Sequence, residues 1–167
     1  MEIINGERLV LGTCYYPEHW DESLWRDDLK RMLENGIEVI RIAEFAWSKI
    51  ERYEGVFNYD FFDRFLDVAA DMGMKVIFCT PTATPPAWLT EKYPEVLNAN
   101  MDGVLYRHGG RRHYNYNSPK YQELTTIIVE KSASHYAKHP AIIGWQIDNE
   151  LNCEKNEFYS ESDTIAF

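Results

Sequence analysis

The stretch "AIIGWQIDNE" at residues 141–150 decides the predicted fold, because an apolar run ends there on three polar side chains. Its first seven residues are typical of a short strand that is buried on both faces. Similar runs occur earlier as "RLVLGTCYY" (8–16), "IEVIRIA" (37–43) and "MKVIFCT" (74–80). The sequence therefore predicts four strands, mostly buried on both faces.

The segments between these runs carry apolar residues at helical spacing. The stretch "SLWRDDLKRMLENG" (23–36) predicts an amphipathic helix. A second helix is predicted to start with Asp60 as its cap. A third has Ser118 as cap and Pro119 at its first position, and it stops before Pro140. The order β-α-β-α-β-α-β predicts an α/β fold, with parallel strands and the helices outside.

Composition favours a globular protein that does not bind nucleic acid. The chain has 167 residues, 45% of them hydrophobic and 26% charged, which suits one domain with its own core. Its formal net charge is −10, whereas a nucleic-acid interface needs clustered Lys and Arg. We therefore predict no nucleic-acid partner.

Targeting and cysteine patterns predict a cytoplasmic protein without membrane segments. Glu2 and Glu7 stand where a secretory signal would need basic and then apolar residues. No stretch approaches the roughly 20 apolar residues of a membrane span. Cys14, Cys79 and Cys153 lie far apart without a CxxC pair, so we expect free thiols rather than disulfides or a zinc site.

A long connection and several polar residues mark the predicted site. About 37 residues, from Pro81 to Asn117, separate the third strand from its helix, whereas such connections usually have about 2–6. In parallel α/β folds, ligands bind at the carboxyl ends of the strands. Glu44 follows the second strand, and the polar triplet 148–150 follows the fourth. These segments are therefore expected to form one site.

A carboxylic acid beside an amide at a strand end suits glycoside hydrolysis. Glu150 would donate a proton to the leaving oxygen, and Asn149 would bind the sugar's 2-hydroxyl. Alternatively, the triplet caps a helix or faces water. His113 and the Arg111–Arg112 pair are either surface groups or partners of acidic residues that hold the long connection.

Nucleotide, metal and serine-hydrolase chemistry fit the sequence poorly. No GxGxxG follows a strand, and neither GxxxxGK[ST] nor GxSxG occurs. The five His residues lack a compact ligand spacing.

Five linked motifs resemble glycoside hydrolase family 42, the β-galactosidases of bacteria. They are "YYPEHW" (15–20), "RIAEFAWSKIE" (41–51), "PTATPPAWL" (81–89), "GGRRHYNYNSP" (109–119) and "WQIDNE" (145–150). The resemblance implies the first half of a (β/α)8 TIM barrel, about four βα units, with retaining chemistry on terminal β-linked galactose. It also implies a parent enzyme that is commonly a homotrimer and needs no organic cofactor.

The resemblance implies roles for individual residues. Glu150 matches the general acid/base, Asn149 the adjacent substrate-binding Asn, and Arg111 a substrate-binding Arg. Arg41 and Glu44 lie in the motif at the end of the second strand and are expected to support the site.

Some family members hold a four-cysteine zinc cluster near the rim. Its first ligand would fall at Asn115, and the others lie past the acid, where Cys153 is the single sulfur. We therefore predict neither zinc nor another cofactor.

A retaining mechanism needs a second carboxylate about 5–5.5 Å from the first. In the family it sits on the seventh strand. The acidic residues late in this sequence are Glu154, Glu157, Glu161 and Asp163. They are too close to Glu150 in sequence to lie on another strand across a barrel, so the chain alone is expected to be inactive.

Two functional hypotheses remain open. In the first, residues 1–167 are the amino-terminal portion of a single TIM-barrel domain, and the missing carboxyl-terminal half supplies the nucleophile for β-galactoside hydrolysis. In the second, the chain is a non-catalytic half-barrel with weak sugar binding or an assembly role. A self-contained flavodoxin-like domain is disfavoured by the long connection.

Overall fold

The computed structural model describes residues 9–111, 113–151 and 157–167. Of the positions discussed above, those outside the described residues are Glu2, Glu7, Arg112, Cys153 and Glu154. Expectations that concern these positions stay predictions.

All four predicted strands and all three predicted helices occur, with slightly shorter bounds. In chain order, the strands and α-helices are β1 (Leu11–Cys14), α1 (Trp25–Glu34), β2 (Ile37–Ile42), α2 (Trp47–Ile50), β3 (Glu51–Tyr53), β4 (Val56–Phe57), α3 (Asp60–Asp71), β5 (Lys75–Cys79), α4 (Ala87–Lys92), α5 (Pro119–Tyr136), β6 (Ile142–Gln146) and α6 (Glu161–Ala166). No helix within the described ranges is both long and apolar enough to cross a membrane.

The chain forms two compact units. The first comprises the described residues of Met1–Ala43 together with Asn58–Cys79 and Tyr136–Ile147. The second comprises Glu44–Phe57, Thr80–His135 and the described residues of Asp148–Phe167.

The predicted strands form one parallel sheet in the first unit. Its order is β1-β2-β5-β6, which follows the chain without reversal. Val39 pairs with Lys75, and Phe78 pairs with Trp145. A doubly wound sheet would reverse its order at a switch point. The observed order therefore disfavours the flavodoxin-like alternative and suits successive βα units.

Helices α1 and α3 pack against this sheet, α1 on β2 and α3 on β5. Trp25 of α1 meets Phe65 of α3 edge to face, with ring centroids 5.2 Å apart. The side chains of Leu29, Phe62 and Leu66 are fully buried in the same unit. Most of the apolar positions at helical spacing thus form the core, whereas Leu24 is 44% exposed.

The expectation that the four strands are mostly buried on both faces is wrong. Every residue of β1 is exposed, and every residue of β6 is half-buried. Both are edge strands of the sheet that the described residues form. In the central strands Ile40, Ile42, Val76 and Phe78 are buried, whereas Val39 and Ile77 on the alternate face are half-buried.

One predicted helix cap is confirmed and the other is wrong. The backbone N–H of Tyr121 donates to Ser118 Oγ (3.4 Å) at the start of α5. Asp60 is instead the first helical residue of α3, after Tyr59 as N-cap. Its N–H donates to Asn58 Oδ1 (2.9 Å), so the earlier Asn supplies the acceptor that was assigned to Asp60.

The long connection between β5 and α5 is confirmed, but it is structured. It contains α4 and the isolated antiparallel bridges Leu97–Tyr114 and Ala99–Leu105. Asn98 accepts a backbone hydrogen bond from Tyr106 through its carbonyl (2.8 Å). Backbone bonding within the connection gives it a fixed path.

The β3–β4 hairpin of the second unit was not predicted. Its first residue, Glu51, is a buried carboxylate that accepts from Trp47 Nε1 (2.7 Å) and from the Gly55 N–H (2.8 Å). Trp88 Nε1 donates to the Glu51 carbonyl (3.0 Å). Burial raises the pKa of Glu51, and these donors oppose that rise.

A polar cluster ties α6 to the long connection. This Asn115 cluster consists of Asn115, Asn117, Ser160 and Asp163. Asn115 is fully buried, and its amide donates to Ser160 Oγ and to Asp163 Oδ2 (2.5 Å). Asn117 Nδ2 donates to Asp163 Oδ1 (2.7 Å). Burial raises the pKa of Asp163, but these hydrogen bonds outweigh it and lower the pKa overall.

Candidate functional site

A cavity of about 480 Å³ lies in the second unit. Residues 83–87 and 108–111 of the long connection line it, together with Phe45, His113 and Asn149. Proline, alanine and phenylalanine side chains form the apolar part of the lining, and Arg111 and Asn149 contribute polar groups. Such a lining is typical of a small-molecule site.

Arg111 and Glu150 form an ion pair between Nη2 and Oε2. The two side chains remain 44% and 52% exposed. Asn149, directly before Glu150, is buried and lines the cavity together with Arg111. The structure thus brings together the three residues for which the sequence predicted catalytic and binding roles.

A strained turn presents Asn149 and Glu150. Asp148 has a φ of 54° and Glu150 a φ of 48°, in the left-handed region that residues with a Cβ rarely adopt. The Asp148 N–H donates to Thr80 Oγ1 (2.7 Å), and the Thr82 hydroxyl donates to Asp148 Oδ2 (2.7 Å). Asp148 Oδ1 accepts the N–H of Asn149 (2.6 Å). These hydrogen bonds stabilise the strained backbone.

His113 is buried beside Arg111, so the surface alternative for this residue is wrong. Its Nδ1 lies 2.5 Å from the Gly110 carbonyl, which can only accept, so Nδ1 carries the proton. Burial lowers the pKa of His113, although the bond to Gly110 opposes this. The imidazole therefore holds the loop through a backbone carbonyl.

Arg41 and Glu44, the predicted supporting residues, lie in different units. Arg41 in β2 donates from Nη1 to Gln146 Oε1 (2.8 Å) and from Nη2 to Cys14 Sγ (3.4 Å), all within the first unit. Glu44 belongs to the second unit and is fully buried. Among the described residues, neither lines the cavity. Their supporting role stays a prediction.

Sequence reasoning missed Thr80, Thr82 and the role of Asp148. Both threonines are buried and bond Asp148. The available signal was their place directly after β5, because the triplet beginning with Asp148 follows β6 in the same way.

Within the described parts of the chain, no group of three or more His, Cys, Asp or Glu side chains is arranged to hold a metal ion. At Asn115, where the resemblance would place the first zinc ligand, the amide belongs to the Asn115 cluster. The absence of zinc stays a prediction, since Cys153 lies outside the described residues.

The chain is similar to beta-galactosidases along most of its length. The sequence profile of glycoside hydrolase family 42, described as beta-galactosidase, matches residues 14–167. A beta-galactosidase of Halorubrum lacusprofundi is 43% identical over 145 residues, and one of Thermus sp is 45% identical over 144. The crystal structure of beta-galactosidase from the psychrophilic Marinomonas ef1 matches with a TM-score of 0.91 at 42% identity.

These matches cover 87%, 86% and 95% of this chain, respectively, but 21%, 22% and 24% of the relatives. The chain thus spans less than a quarter of the length of each. The structural match and the parallel sheet in unbroken order confirm the predicted fold, the first half of a (β/α)8 barrel. The chain belongs to glycoside hydrolase family 42.

Proposed function

We propose that this chain supplies the acid/base part of a retaining β-galactosidase, which releases terminal β-D-galactose from β-galactosides. The observation that carries the proposal is the ion pair between Glu150 and Arg111 in a chain of this family. Arg111 and Asn149 both line the cavity. The cavity, about 480 Å³, has room for a sugar.

In this proposal Glu150 acts in both chemical steps. Its protonated carboxyl donates to the glycosidic oxygen as the bond to the anomeric carbon breaks. Its carboxylate then takes a proton from the water that attacks the covalent glycosyl intermediate.

Asn149 is proposed to bind the galactose 2-hydroxyl. Its side chain is buried at the cavity wall, next to the proposed acid/base. A hydrogen bond at this hydroxyl strengthens as the sugar approaches its oxocarbenium-like transition state. Asn149 therefore contributes to the rate and not only to substrate affinity.

A retaining mechanism also needs a nucleophilic carboxylate about 5–5.5 Å from Glu150. Among the described carboxylates that follow it, Asp163 accepts from Asn117 (2.7 Å), and Glu157 accepts from the Tyr159 hydroxyl (3.1 Å). These bonds engage both carboxylates, and Glu161 lies in the first turn of α6. We infer that the nucleophile comes from the remainder of the barrel, and that the chain alone has little or no glycosidase activity.

The proposal extends to the setting of the whole enzyme. Residues 1–167 would be the amino-terminal portion of one barrel domain, in a cytoplasmic parent that assembles as a homotrimer. The family resemblance supports this assembly. Light scattering of the full-length parent checks it, since a monomer would contradict it.

The test joins this chain, in one polypeptide, to the part of the Halorubrum lacusprofundi beta-galactosidase that follows the matched segment. We call this fusion the assembled enzyme. The assembled enzyme is expected to hydrolyse a nitrophenyl β-galactoside, and the 167-residue chain is not. Glu150→Gln should lower the rate about 10²–10⁴-fold.

The matched control is Glu130→Gln, the same change at an exposed carboxylate of α5. It should leave the rate unchanged. Ordinary turnover by the 167-residue chain would contradict the claim that the nucleophile lies elsewhere. Full activity of the Glu150→Gln enzyme would contradict the assignment of the acid/base.

A further inference from the structure

We propose that Asp148 is the positioning residue of Glu150. In this proposal Asp148, held by Thr80 and Thr82, fixes the direction in which the acid/base points. The inference rests on the proposed function of Glu150, and it explains the third member of the polar triplet. We refer to Thr80, Thr82 and Asp148 as the Asp148 clasp.

The carboxylate of Asp148 suits this role because both of its oxygens accept hydrogen bonds. Oδ2 accepts from the Thr82 hydroxyl (2.7 Å) and Oδ1 from the N–H of Asn149 (2.6 Å). The residue is 7% exposed, so water cannot readily replace these donors. An amide has one acceptor oxygen and would present N–H groups to the second donor. Asparagine therefore cannot reproduce the arrangement.

A hydrogen bond also fixes the backbone of Asp148. Its N–H donates to Thr80 Oγ1 (2.7 Å), and its φ of 54° turns the chain sharply. Glu150 follows with a φ of 48°. Such strained residues persist where surrounding bonds determine the backbone conformation. If the bonds to Asp148 are lost, the turn can relax and Glu150 points elsewhere.

The clasp is anchored to α5. The Tyr121 hydroxyl donates to the Thr82 carbonyl (2.8 Å), and the Tyr121 ring stacks on Tyr114 with centroids 4.8 Å apart. Burial raises the pKa of Tyr121, so its hydroxyl keeps the proton that it donates. The path from Tyr121 through Thr82 to Asp148 therefore connects the turn to a packed aromatic pair.

The first experiment compares two substrates of the assembled enzyme. A phenyl β-galactoside needs a proton on its leaving oxygen, whereas a 2,4-dinitrophenyl β-galactoside hardly does. For Asp148→Asn we expect kcat/KM for the phenyl substrate to fall about 10–100-fold. For the dinitrophenyl substrate it should fall several-fold less, since that step barely uses the acid and loses only what the displacement of Asn149 costs. An equal loss on both substrates, or no loss on either, would overturn the proposal.

Substitutions at Thr82 test the same clasp without changing the charge. Thr82→Val removes the hydroxyl and should reproduce the substrate-dependent loss, whereas Thr82→Ser keeps the hydroxyl and should restore most of the rate. The double variant Thr82→Val with Asp148→Asn should have nearly the same kcat/KM as Asp148→Asn alone, because both substitutions disrupt the same hydrogen bond. Additive losses would contradict the clasp. Asp102→Asn, at an exposed position of the long connection, is the control.

A second measurement uses the 167-residue chain and needs no activity. Hydrogen exchange at the Asn149 amide should be slow, and Asp148→Asn should accelerate it at least about tenfold. Unchanged exchange would refute the positioning role. Failure of the proposed function would look different, since the unsubstituted assembled enzyme would be inactive or Glu150→Gln would leave it active.

Discussion

Arg111 of the long connection and Glu150 of the turn after β6 form an ion pair in the second unit. The pair joins two motifs that are far apart in the sequence. Arg111 also lines the cavity, together with Asn149. Its guanidinium thus lies beside both the Glu150 carboxylate and the cavity.

Replacement of Arg111 by lysine should impair the assembled enzyme although the charge is kept. Lysine lacks the planar fork of donors with which arginine engages two acceptors at once. We expect kcat/KM to fall about tenfold, which corresponds to about 1.4 kcal/mol. Arg107→Lys, at an exposed position of the same connection, is the control. Equal kcat/KM values for the two variants would contradict a role for Arg111 in the site.

The imidazole of His113 should stabilise the second unit through its bond to Gly110. His113→Phe keeps a ring but leaves the carbonyl without its donor, at a cost of about 1–3 kcal/mol. His113→Asn places an amide N–H near the position of Nδ1 and should recover part of that loss. Urea unfolding of the chain measures both values. If phenylalanine is tolerated better than asparagine, the hydrogen bond is not what stabilises the loop.

His113 should also make stability depend on pH. Its folded pKa is lowered by burial, so below the unfolded value of about 6.5 the unfolded chain binds more protons. The free energy of unfolding should therefore be greatest above about pH 6.5 and fall as the pH drops towards the folded pKa. The decrease should be smaller in His113→Asn. Parallel pH profiles for the two proteins would contradict the lowered pKa.

Asp163 should hold α6 on the long connection. Asp163→Ala removes the acceptor of Asn115 and Asn117 and one half of the capping box with Ser160. We expect a loss of about 1–2 kcal/mol in stability. Faster hydrogen exchange across residues 161–166 would show that this loss of stability affects α6. Asp102→Ala is the matched exposed control, and equal exchange in both variants would argue against the Asn115 cluster.

The strands and long helices were predictable because each carries its periodicity within a single segment. The β3–β4 hairpin was not, since β3 has three residues and β4 two, too few to show a period. Its stability depends on bonds such as Trp88 Nε1 to the Glu51 carbonyl, which links residues 37 positions apart. A single sequence gives no indication of such pairings.

The candidate site was only partly predictable from the sequence. Glu150, Asn149 and Arg111 were predicted from motifs, and the structure places them together. The clasp was not found, because Thr80 and Thr82 lie 68 and 66 positions from Asp148 in sequence. The strained φ of Asp148 was equally hidden, since the sequence contains no glycine there to indicate a left-handed residue.

The most direct test of the central claim is the product that Glu150→Ala forms with azide. In the assembled enzyme, a 2,4-dinitrophenyl β-galactoside can still form the covalent intermediate without an acid. With the base removed, azide can attack that intermediate in place of water. If Glu150 is the acid/base, azide should restore turnover and give β-galactosyl azide, with the anomeric configuration retained. An α-galactosyl azide would mean that Glu150 is the nucleophile, and no restoration of turnover would mean that it has neither role.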